Sequence, residues 1–212
     1  MLKDLQGFFE STTGQIVSVA IIVIIFILIM IPERHKNSKV DVAALTISAL
    51  MVALAIGLNQ ITFLRMPYGG TITLLSMLPI VLCGYFLGTK KGVLAGFVFG
   101  ILNLIFNPYV IHPVQLLLDY PIAFGALGLS GIFRDKKHGL IKGYLFGIFC
   151  RYICSVLSGI IFFGAYAAEG FNAFTWSIWY NGIYMGAEGI ITVIILLIPP
   201  VRKAFESLKK QI

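Results

Sequence analysis

The chain has 212 residues, of which 58% are hydrophobic and 12% charged, with a formal net charge of +7 and a mean hydropathy of +0.94. That balance excludes a soluble globular domain and predicts a polytopic membrane protein, its length largely consumed by apolar spans of about 20 residues. The basic excess then reflects membrane topology and contact with anionic lipid, and excludes nucleic acid as a partner.

Seven apolar segments are expected, at residues 16–31, 42–61, 72–87, 93–106, 115–133, 140–163 and 178–198. The first begins after Lys3, Asp4 and Glu10 and has no A-x-A cleavage site before Pro32, so it is expected to be a retained anchor helix and not a signal peptide. Thirteen of the sixteen basic residues follow segments one (Arg34, Lys36, Lys39), three (Lys90, Lys91), five (Arg134, Lys136, Lys137, Lys142) and seven (Arg202, Lys203, Lys209, Lys210). By the positive-inside rule those connections are cytoplasmic. The N-terminus is then outside the cell membrane and the C-terminus inside, with the loops near Arg65, His112 and Tyr166 facing outward. The expected fold class is an all-α membrane protein: an anchor helix and linker over 1–38, a six-helix bundle over 39–203 and a cytoplasmic tail over 204–212.

In segment two, Ala49 and Ala53 lie four residues apart and form a smooth helix face on which a second membrane protein can dock. The loop from Arg65 to Thr71 carries a proline and paired glycines for a chain reversal, and Tyr68 offers a ring to cover a ligand. Gly84, Gly88, Gly92, Gly96 and Gly100 recur every fourth residue, broken at a turn expected over 89–91. Their first reading is close packing inside the bundle.

Segment five contains Asp119 inside an apolar run, and an ionisable group at membrane depth is by default a functional site. Tyr109, His112, Gln115 and Tyr120 lie within ten residues and surround that carboxylate with hydrogen-bonding and aromatic groups, which suits a small, polar, cationic ligand. The structural alternative is an ion pair between Asp119 and Arg151 that joins two helices. A third outward loop, 164–176, is rich in aromatics, and three such loops on one side predict a lidded site open to the outside.

Other chemistries lack their residues. Cys83, Cys150 and Cys154 have no partner histidines for a metal set and read as packing residues. There is no H-E-x-x-H, G-x-S-x-G or Walker A sequence, so neither catalysis, metal, cofactor nor ATP hydrolysis is expected of the chain itself. An intramembrane enzyme acting on a lipid stands as the alternative of another class, and requires Asp119, Glu188 and His112 to assemble. His35 and His138 read as surface residues.

The runs MPYGGTITLLSMLPI (66–80), YVIHPVQLLLDYPIAF (109–124), SGIIFFGAYA (158–167) and YNGIY (180–184), followed by Glu188, are ordered over about residues 40–203. Together they resemble the thiamine-specific substrate-binding (S) component of energy-coupling factor transporters. The resemblance implies a six-helix protein that captures the vitamin outside and passes it to a transmembrane coupling subunit and two ATPases. It implies that Asp119 meets the aminopyrimidine and that Tyr120, Tyr109, Asn181, Arg151, Trp176 and Phe163 contact the ligand. It also implies that Ala49 and Ala53 form the A-x-x-x-A surface for the coupling subunit. Ser155 stands where the pattern has histidine, and Phe163 where some members have tryptophan, which leaves a pyrimidine or thiazole precursor, or an analogue, as the alternative ligand.

Overall fold

The computed structural model describes residues 11–30 and 41–212. The linker with Arg34, His35, Lys36 and Lys39 lies outside the described residues, as do residues 1–10. Helices dominate: α1 (Thr12–Met30), α2 (Val42–Gln60), α3 (Leu78–Leu87), α4 (Thr89–Phe106), the composite α5 (Pro113–Phe133), α6 (Gly139–Phe162), α7 (Ala173–Leu197) and α8 (Pro199–Gln211). Among the described residues α2, α4, α5, α6 and α7 are long and apolar enough to cross a membrane. The protein is thus an all-α, multi-pass membrane protein, with one small hairpin of strands β1 (Thr62–Arg65) and β2 (Thr71–Thr73).

The third expected segment departs from its prediction. Residues 71–73 are strand, Leu75 is left-handed (φ 57°), and helix begins only at Leu78, so α3 has ten residues. At about 1.5 Å per residue it spans half a bilayer. The chain is drawn out of the helix because Thr73, Ser76 and Met77 all bond to Glu188 of α7. The break between α3 and α4 is also displaced from its expected place: Gly88, at φ 90°, makes the turn alone, and residues 89–91 already belong to α4. Only glycine adopts that φ without strain. The last expected segment starts earlier than its apolar run, because Asn172 and Thr175 form a reciprocal capping box that sets the first turn of α7. In the tail the chain forms α8, which is held to the 134–135 turn by Lys209 through Arg134 O and Asp135.

The glycine series packs the bundle internally. A Cβ on Gly96 would meet Phe124 O at 2.3 Å, and one on Gly100 would meet Tyr120 O at 2.4 Å, so these two positions let α4 lie backbone to backbone on α5. Within α5, Pro121 has no N–H to donate, and the helix widens to a π-turn over Leu118–Ile122. That turn carries Asp119. Its outer side, Leu118, Ile122 and Ala123, packs with Cys154 and Leu157 of α6 and with Val19 and Val23 of α1.

Candidate ligand-binding site

The connections β1–β2, α4–α5 and α6–α7 meet at one end of the bundle. Tyr68 lies 4.9 Å from Tyr166 between ring centroids, and Tyr109 stacks on Phe163 at 6.0 Å with 18° between planes. Below them is a cavity of about 330 Å³, lined from α2, the hairpin, α4, α5, α6 and α7. Its size suits a small molecule. At the opposite end of the bundle lie the ion pairs Lys91–Asp41 and Lys209–Asp135.

Asp119 is held for its place by Gln115, one helical turn earlier. The fully buried Gln115 donates from Nε2 to Asp119 Oδ2 (2.7 Å) and to Tyr109 O (3.1 Å), and its Oε1 accepts from Ile111 N (3.2 Å). Both partners line the cavity. Ser158, almost fully buried, places its hydroxyl beside Asp119. The alternative of an Asp119–Arg151 ion pair does not form. The Arg151 guanidinium instead lies over the Phe124 ring, 4.0 Å from its centroid, while Arg151 also lines the cavity and its buried Nε has no hydrogen-bond partner. A carboxylate reaching a chamber that mixes aromatic rings with polar side chains favours a ligand that carries N–H donors or positive charge.

Tyr120 and Asn181 line the cavity but are occupied by the protein. Tyr120 Oη donates to Asn107 O (2.9 Å) and accepts from Tyr109 N (2.8 Å), which fixes the rim loop. Asn181 Nδ2 donates to Ser177 O (2.9 Å) and Ser155 O (3.3 Å), and its Oδ1 accepts from Tyr184 Oη (3.0 Å), tying α6 to α7. Tyr109, Phe163, Trp176 and Tyr68 present rings to the same chamber.

His112 is the residue that the structure does not bring in. It caps α5, with Nδ1 accepting from Val114 N (3.1 Å), and its exposed ring stacks on Phe162 outside the cavity. A histidine just before Pro113 sits at the N-cap, so its side chain folds back on the helix start and cannot reach inward. It therefore does not assemble with Asp119 and Glu188.

Residues beyond the expected set line the wall as well, Tyr180 and Tyr184 following the expected Trp176. Trp176, Tyr180 and Tyr184 form a ladder on α7, with centroids 5.9 and 5.8 Å apart. Their four-residue spacing was a readable signal of one helix face. Tyr180 Oη donates to Pro67 O and accepts from Gly70 N (2.9 Å), so α7 holds the tip of the hairpin. Asn59, Asn103 and Asn107 make an amide cluster at the rim, with Asn107 Nδ2 3.1 Å from both Asn59 Oδ1 and Asn103 Oδ1. Ser155, in place of the expected histidine, is buried in the α6 wall. On α2, Ala49 and Ala53 are exposed, and α1 packs instead against α4, α5 and α6.

Comparison with known proteins gives a consistent set. The family described as Thiamine transporter protein matches residues 45–207. The Thiamine transporter ThiT of Bacillus subtilis is 34% identical over 171 residues, covering 74% of this chain and 86% of the relative. The Thiamine transporter ThiT of Lacticaseibacillus paracasei is 30% identical over 183 residues, covering 77% and 88%. A solved structure of ThiT from Listeria monocytogenes superposes with a TM-score of 0.64 at 26% identity, covering 79% of this chain and 99% of that one.

Proposed function

The chain belongs to the Thiamine transporter protein family, and from that premise we propose that it is the substrate-capture (S) component of an energy-coupling factor importer, binding thiamine from outside the cell. The observation that carries this reading is the cavity in which Asp119, oriented by Gln115, shares the lining with a set of aromatic rings. An aminopyrimidine offers N–H donors to the Asp119 carboxylate. A thiazolium finds the faces of Tyr68, Tyr109, Phe163 and Trp176, each worth up to about 2 kcal/mol to a desolvated cation. Arg151, with its unpartnered Nε, supplies a donor for a ring nitrogen or hydroxyl of the ligand.

Residues 39–203 form the substrate-binding unit in this reading, and α1 is an addition to it. The N-terminus lies outside and the C-terminus in the cytoplasm. Ala49 and Ala53 dock the transmembrane coupling subunit, a role favoured by their exposure and by the position of α1 on other helices. Two ATPases of that module drive release inward. The chain itself binds and does not turn over its ligand, since His112 sits away from Asp119 and the relatives are named as transporters.

Calorimetric titration of the detergent-purified chain with thiamine, and separately with its pyrimidine and thiazole halves, tests the reading. Saturable one-to-one binding of thiamine, tighter than either half and without product, is expected. A half that binds as tightly as thiamine would make a precursor the ligand, and product release would make the protein an enzyme.

A further inference from the structure

Glu188 lies on α7, two helical turns below Tyr180, and is only 3% exposed. Its carboxylate is an acceptor with no hydrogen of its own when ionised, and four donors converge on it. Thr73 Oγ1 (2.7 Å) and Thr73 N (3.2 Å) reach Oε2, while Ser76 Oγ (3.3 Å) and Met77 N (3.3 Å) reach Oε1. All four belong to the turn that leaves β2 and enters α3. That turn is strained, because Leu75 is held at φ 57°, a left-handed conformation that a branched apolar side chain adopts only where its surroundings impose it. Backbone pairing of the hairpin ends where Leu74 N donates to Ile61 O (3.0 Å), just short of Leu75, and from there the Glu188 bonds supply the side-chain anchor of the strained turn.

The hairpin consequently has two points of attachment to α7. Tyr180 binds its tip, at Pro67 and Gly70, and Glu188 binds its base, at Thr73. Tyr68, which lies 4.9 Å from Tyr166 over the cavity, belongs to the tip, flanked by Pro67 and Gly70. Losing the base leaves Leu75 free to relax to an ordinary φ, and the rotation of one residue at the root of a hairpin swings its tip. We propose that Glu188 is a positioning residue that latches the base of the β1–β2 hairpin and so sets how readily the cavity opens. It acts through Thr73 and not by touching the ligand. This rests on the reading of the cavity as the vitamin site only for the identity of the ligand that escapes.

The test uses the full chain in detergent, with two readouts. One is the rate of trypsin cleavage after Arg65, an exposed residue of β1, without ligand. The other is the thiamine dissociation rate, followed by stopped-flow tryptophan fluorescence. Glu188→Ala is expected to speed both by about tenfold, the scale of one lost charge-assisted hydrogen bond. Glu188→Gln, which keeps one carbonyl acceptor, falls between, and Glu169→Ala, on an exposed loop carboxylate, changes neither. Should Glu188→Ala not fold, Thr73→Val decides, since it removes the shortest bond and keeps the shape. Unchanged cleavage after Arg65 in a folded variant would overturn the proposal, and weakened binding with unchanged cleavage would assign Glu188 to the ligand instead. Because cleavage needs no ligand, it reads the latch even where thiamine itself fails to bind.

Discussion

Gly100→Ala carries a consequence that can be worked from distances. The added methyl would sit 2.4 Å from Tyr120 O, 2.7 Å from Tyr120 C and 2.9 Å from Pro121 Cα, all of them backbone atoms that cannot rotate away. Ordinary contact between such atoms begins about 1 Å further out, so α4 and the π-turn of α5 must separate by that amount. Overpacking of this kind costs about 1–3 kcal/mol. The displaced segment carries Asp119, whose 2.7 Å bond from Gln115 orients the carboxylate, so thiamine affinity is expected to fall by about tenfold or more. Gly57→Ala is the matched control, since a Cβ there meets nothing within 4 Å. The assay is calorimetric titration of thiamine together with thermal unfolding of both variants in one detergent. Wild-type affinity in Gly100→Ala would refute the claim that the α4 glycines place Asp119.

Trp176 lines the cavity whereas Trp179 is 61% exposed on the outer face of α7; thiamine-induced quenching is therefore expected to vanish in Trp176→Phe and to persist in Trp179→Phe. Asp41 caps α2 and accepts from Lys91 Nζ at 2.7 Å, and that bond, followed by the one from Ala44 N, holds its carboxyl below the ordinary value of 3.8. A lowered folded pKa means stability that is present above the unfolded value and lost as pH falls through the folded one. The thermal midpoints of wild type and Asp41→Asn should accordingly differ at neutral pH and converge as the pH falls below the ordinary carboxyl value of 3.8 and through the lower folded one. Removal of residues 1–38 exposes Leu118, Ile122 and Cys154 to lipid tails, which are as apolar as the Val19 and Val23 they replace. The truncated chain should fold and keep thiamine affinity within about tenfold, read by size exclusion and titration.

Asp119 and the convergence of three loops were legible in the sequence because both rest on strong, local signals. A charge in an apolar run is costly anywhere along it, and charge bias alone puts alternate loops on one side. Segment three was not legible, since its apolar composition is the same whether residues 72–77 are helix or a strained turn. What decides the matter is Glu188, more than a hundred residues away. The same distance hid Tyr180, whose hydroxyl is read as a hairpin clamp only once Pro67 and Gly70 lie beside it. His112 misled in the opposite way: proximity to Asp119 in sequence became separation in space once it capped α5. Asn181 was reached only through the family resemblance, and the structure adds what no sequence signal gave, that its amide bonds to Ser155 and Ser177 and receives Tyr184.

The most direct measurement is the thiamine dissociation constant of Asp119→Asn against wild type. The variant keeps the side-chain shape and a carbonyl acceptor for Gln115 but removes the negative charge from the cavity. A hydrogen bond to a charged group is worth about 1.5–3 kcal/mol, so affinity should weaken about 10- to 150-fold, with the unfolding midpoint little changed. Equal affinity in the two proteins would contradict the account, because the cavity would then be capturing its ligand without the carboxylate that defines it.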